Sequence, residues 1–107
     1  MVVDDVQENI DILVTVLGLQ YNVSMAMDGK SALAHIAKEP PDLILLDIMM
    51  PGMNGFEVCR HLKSQPSTKD IPIIFLTART DGKSIVEGFQ AGAVDYIIKP
   101  FNVTELL

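Results

Sequence analysis

Asp42-Leu43-Ile44-Leu45-Leu46-Asp47 decides how the chain folds. An apolar run this short and continuous, fenced by aspartates, reads as a central strand buried on both faces. Asp47 therefore sits at a strand's C-terminal end. Upstream, Val2-Val3 starts a strand ending in Asp4-Asp5, and Val6, Ile10, Leu13, Val14 and Leu17 then recur at helical spacing until Gly18. Asn22 to Ala26 reads as a second strand broken by Asp28-Gly29, and Leu33, Ile36 and Ala37 mark a second helix stopped by Pro40-Pro41. Downstream, the turn Met50-Pro51-Gly52-Met53-Asn54-Gly55 leads to a third helix with Phe56, Cys59 and Leu62 inward, followed by a polar loop from Ser64 to Asp70. Ile71 to Leu76 is a fourth strand ending at Thr77. Asp81 caps a fourth helix carrying Ile85, Val86 and Phe89, with Gly92 as its stop. Ala93 to Ile98 is a fifth strand, and Asn102 with Glu105 opens a last helix as a capping box.

Strands alternating with amphipathic helices define an α/β fold with a mainly parallel, doubly wound sheet. The 107 residues fit one domain, 1–107, and 49% hydrophobic content with no tryptophan suits a sheet covered by helices. The longest apolar runs fall far short of the ~20 residues that cross a bilayer, and no secretory layout opens the chain, so a cytoplasmic location with no membrane association is expected. Cys59 is the lone cysteine and forms no zinc-type pairing with His35 or His61. A net charge of −6 without a basic run argues against direct nucleic-acid binding.

In a doubly wound sheet, ligands bind beyond the carboxyl ends of the strands. The residues following the strands are Asp4 and Asp5, then Asp47, Thr77 and Lys99. Each alone has a dull explanation as a cap, a strand end or a solvated charge. Together they form a chemical set. Carboxylates ~4 Å apart repel by roughly 4 kcal/mol even at an effective dielectric of ~20, so three of them need a cation. Hard oxygen donors without His or Cys favour Mg²⁺, which takes one or two carboxylates and phosphate oxygens. A nucleophilic carboxylate beside a metal, a hydroxyl and an ammonium suits phosphoryl transfer, with Asp47 attacking, Lys99 offsetting oxyanion charge and Thr77 donating a hydrogen bond.

The motifs Val2-Val3-Asp4-Asp5, Leu45-Leu46-Asp47-Ile48-Met49-Met50-Pro51-Gly52-Met53-Asn54-Gly55, Leu76-Thr77-Ala78-Arg79 and Asp95-Tyr96-Ile97-Ile98-Lys99-Pro100-Phe101 resemble the receiver domain of bacterial response regulators. The resemblance implies a flavodoxin-like sheet of order 2-1-3-4-5, with Asp47 phosphorylated from a phosphohistidine on a sensor histidine kinase or phosphotransfer protein. It also implies that Asp5 and Asp47 bind Mg²⁺ directly, with Mn²⁺ as a substitute, that Asp4 binds through water, and that the Met49 main-chain carbonyl completes the set. Thr77 and Tyr96 are then the switch pair, and a cis peptide joins Lys99 to Pro100. The fourth helix, fifth strand and last helix are then the responsive face, the surface the resemblance offers to a second copy in a homodimer. Such a domain is no general enzyme; it catalyses only its own phosphorylation and dephosphorylation. Met49 and Arg79 resemble positions that tune phosphoryl lifetime. The family usually has a longer first strand and last helix, so both ends read as truncated.

Flavin-binding and haloacid dehalogenase-type relatives share parts of this pattern. The first needs a hydroxyl- and glycine-rich loop where Asp4-Asp5-Val6-Gln7-Glu8 stands, and the second an Asp-x-Asp pair. A docking module without chemistry would not need all of Asp4, Asp5, Asp47, Thr77 and Lys99.

Overall fold

A computed structural model of the protein describes residues 1–78 and 82–99. Its elements run β1 (Val2–Val3), α1 (Gln7–Leu17), β2 (Met25–Ala26), α2 (Gly29–Lys38), β3 (Ile44–Asp47), α3 (Gly55–Lys63), β4 (Ile73–Thr77), α4 (Gly82–Ala91) and β5 (Asp95–Ile98). The strands form one parallel sheet of order β2-β1-β3-β4-β5. Arg79, the expected cap Asp81, the peptide before Pro100, and Asn102 and Glu105 with their helix lie outside the described residues.

Side chains alternate across the sheet and so divide between two cores. Val3, Ile44, Leu46, Ile73 and Phe75 pack on one face with Ala32 and Ile36 of α2, Phe56, Cys59 and Leu62 of α3, and Ala91 of α4. Val2, Leu45 and Leu76 point the other way, onto Ile10 and Leu13 of α1. β3 is buried along its whole length, as its unbroken apolar run requires.

Several strands start later than the apolar runs do. Leu43 is 40% exposed and its carbonyl accepts from the Met1 ammonium, so β3 begins at Ile44. Pro72 has no N–H for a ladder, and the Ile71 N–H turns back to the Thr68 carbonyl, which delays β4 to Ile73. The Ala93 N–H bonds the Gly88 carbonyl, finishing α4 rather than starting β5. Only Met25 and Ala26 of the expected second strand pair in the sheet.

The helix ends follow local chemistry. Asp28 caps α2 by accepting from the Ser31 N–H and hydroxyl at 2.7 and 3.1 Å. Asn54 and Glu57 form a reciprocal capping box on α3. Gly92, at φ +114°, takes the left-handed position after α4. In α2 the buried side chains are Ala32 and Ile36, while Ala37 is exposed. In α4, Val86 and Phe89 are about half exposed at 53% and 48%, and the helix enters the core through buried Gly88 and Ala91.

Candidate functional site

The sheet order carries the strand ends to one edge. Val3 pairs with Leu46, so Asp4 and Asp47 follow from neighbouring registers. Asp47 pairs with Leu76, and Thr77 with Ile98, placing Thr77 and Lys99 one step beyond. The Lys99 N–H donates to the Thr77 carbonyl at 2.8 Å, which fixes the root of the lysine side chain. The loop after Asp47 closes where the Gly55 N–H reaches the Ile48 carbonyl at 2.9 Å. A Cβ on Gly55 would collide with the Asp47 carbonyl, so this close approach requires glycine.

One oxygen from each of Asp4, Asp5 and Asp47 lies within 4.8 Å of the others. Asp4 is fully buried and Asp47 is 3% exposed. Lys99 Nζ donates to Asp47 Oδ1 and lies against Asp4 Oδ2, 2.9 Å from each. Asp4 Oδ1 also accepts the Val6 N–H at 3.0 Å, and Asp4 Oδ2 accepts from Asn9 Nδ2 at 3.2 Å. Burial pushes the Asp47 carboxyl up to about 7; the Lys99 hydrogen bond opposes this and the Asp4 charge reinforces it. Burial alone would lower the Lys99 ammonium, but its hydrogen bonds to Asp4 and Asp47 hold it above its ordinary value.

Three carboxylates against one ammonium leave a formal excess of two negative charges, which a divalent cation balances. All three donors are hard oxygens, fitting a magnesium-type ion. Thr77 is buried at the end of β4, and Met49, two residues beyond Asp47, exposes 60% of its surface. Tyr96 of β5 packs against α4. Its hydroxyl donates to the Ile85 carbonyl of α4 at 2.8 Å, and its ring lies 5.8 Å from Phe75 and 5.3 Å from Phe89. Asn9 is the participant the sequence did not disclose, because a polar residue in the first turn of a helix is normally just solvated. Its position five residues after Asp4, on the helix that Asp4 leads into, was the available signal.

Among the described residues, no helix is long and apolar enough to cross a membrane. The chain matches the family of response regulator receiver domains over residues 1–107. It is 47% identical over 103 residues to the response regulator PleD of Caulobacter vibrioides, covering 95% of this chain and 23% of PleD. It is 44% identical over 108 residues to the DNA-binding response regulator MtrA of Mycobacterium leprae, covering 100% of this chain and 47% of MtrA. The chain thus spans less than half the length of these curated relatives. Among solved structures, the Vibrio cholerae chemotaxis protein CheY4 superposes with a TM-score of 0.93 at 36% identity, covering 98% of this chain and 88% of that one. A response regulator from Chloroflexus aurantiacus gives 0.92 at 40% identity, covering 98% and 87%. With its sheet order, its acidic cluster and these likenesses in agreement, the chain belongs to the receiver-domain family of two-component response regulators.

Proposed function

We propose that Asp47 accepts a phosphoryl group from a phosphohistidine on a sensor histidine kinase or phosphotransfer protein. The reading is carried by one observation: Asp4, Asp5, Asp47 and Lys99 meet at the strand ends. An Asp47 carboxylate oxygen bonds to phosphorus as the phosphorus–nitrogen bond breaks, and the imidazole leaves with the electron pair. Lys99, already on Asp47 Oδ1, orients the carboxylate and offsets charge on the phosphoryl oxygens. The Thr77 hydroxyl donates to one of those oxygens. Asp4, Asp5, Asp47 and the main-chain carbonyl of Met49 would hold Mg²⁺, or Mn²⁺ in its place. When bound, the ion supplies positive charge to the phosphoryl oxygens as they pass between donor and acceptor.

Phosphorylation replaces one carboxylate charge with roughly two charges and new acceptor oxygens. Thr77 answers by moving toward the phosphoryl group and Tyr96 by turning its ring, which changes the face made by α4 and β5. That face regulates an attached output domain, a partner or a second copy of the chain. The domain works in the cytoplasm, without touching nucleic acid itself, and its only catalysis is its own phosphorylation and dephosphorylation.

Intact-mass measurement after incubation with acetyl phosphate and Mg²⁺ tests the reading. The chain is expected to gain the mass of one phosphoryl group, and Asp47→Asn or chelation of the metal to abolish the gain. Labelling that persists in Asp47→Asn removes Asp47 from the role.

A further inference from the structure

We infer that Asn9 is a positioning residue for Asp4, the neutral donor that keeps this buried carboxylate aimed when Lys99 turns to the phosphoryl group; the inference rests on the function proposed above. Lys99 divides one ammonium between Asp4 Oδ2 and Asp47 Oδ1, at 2.9 Å from both. Any movement that gives a phosphoryl group on Asp47 more of that ammonium gives Asp4 less. Asp4 is fully buried, and a buried carboxylate that loses one of its charged partners is costly unless its remaining hydrogen bonds hold.

Among the described residues, two donors stay behind. The Val6 N–H holds Oδ1 at 3.0 Å and the Asn9 amide holds Oδ2 at 3.2 Å, so both oxygens and the carboxylate plane remain fixed. Asn9 is itself anchored in the first turn of α1, where its main-chain N–H donates to the Val6 carbonyl at 3.1 Å. Its chemistry suits the task. An amide compensates the carboxylate without adding a positive charge, whereas a lysine or arginine at this position would repel a divalent ion. A donor to a metal-ligating carboxylate acts through that ligand, and losing such a partner typically weakens metal binding 10- to 100-fold.

The test is calorimetric titration of Mg²⁺ into the full chain, comparing wild type with Asn9→Ala and Asn9→His. Alanine removes the donor while favouring helix, so a weaker site does not come from a weakened α1. Histidine places a ring N–H at nearly the same reach. Asn9→Ala is expected to weaken Mg²⁺ binding about 10-fold and Asn9→His to restore most of it. At saturating Mg²⁺, Asn9→Ala is also expected to label more slowly with acetyl phosphate, because Asp4 retains Lys99. Wild-type affinity in Asn9→Ala, or an equal loss in Asn9→His, overturns the inference. A wild type that binds Mg²⁺ and is labelled, beside an equally competent Asn9→Ala, defeats this inference alone. A wild type that takes up neither metal nor phosphoryl group defeats the proposed function and this inference with it.

Discussion

Asp47 is where burial and charge pull hardest against each other. Its carboxyl is held near 7, well above the ordinary 3.8, chiefly by burial, so between those values the folded chain binds the proton more tightly than the unfolded chain. Stability therefore falls as pH rises through this window, and what the protonated group contributed is lost above about pH 7. The neutral amide of an Asp47→Asn variant would carry no such titration. In metal-free buffer Asp47→Asn is expected to be more stable than wild type at about pH 7.5, by on the order of 2 to 4 kcal/mol, and to melt higher accordingly. The gain should vanish near pH 4, where wild type is protonated as well. Melting curves across this range decide the matter, and a pH-independent difference would remove burial of charge as its cause.

At the scale of elements, α4 shows two opposing effects at one residue. Glycine inside a helix normally costs about 1 kcal/mol relative to alanine, so Gly88→Ala should stabilise if propensity ruled. Packing reverses the sign. A Cβ there would collide with the Tyr96 hydroxyl and meet Phe75 Cδ2 at 3.0 Å, and forced overpacking costs about 1–3 kcal/mol. Gly88 is the notch that lets the Tyr96 hydroxyl reach the Ile85 carbonyl. Gly88→Ala is expected to destabilise by about 1–2 kcal/mol in urea melts, and less in a Tyr96→Phe background, with a coupling of at least about 0.5 kcal/mol. Strict additivity would show that the ring and the helix do not share this space. Spacing alone placed Ile85, Val86 and Phe89 on this helix but left its contact face unread, since apolar periodicity weights large residues and the approach is made by small ones.

Across the whole molecule, the strand order turns scattered signals into a site. Apolar runs made every strand but the short second one legible, and the residues after them named Asp4, Asp5, Asp47, Thr77 and Lys99. Their adjacency needs β1 between β2 and β3, which followed from the family resemblance rather than from any single run. Asn9 stayed hidden because its role depends on where the fully buried Asp4 points. The strand starts expected at Leu43, Ile71 and Ala93 come too early because the apolar runs begin before the first residue that pairs. The assembled cluster should also respond as one unit to metal. Each tenfold of free Mg²⁺ above its dissociation constant stabilises the fold by about 1.4 kcal/mol, which for a domain near this size raises Tm by roughly 6–11 °C. Asp47→Asn starts from a higher metal-free Tm but has lost a charged oxygen donor, so its slope against the logarithm of Mg²⁺ concentration should begin only at higher concentration. Plotted together at about pH 7.5 and constant ionic strength, the two curves are expected to cross, with wild type the less stable protein without Mg²⁺ and the more stable one with it. Parallel curves would mean that Mg²⁺ merely screens the net charge of −6, because screening has no need of the Asp47 carboxylate.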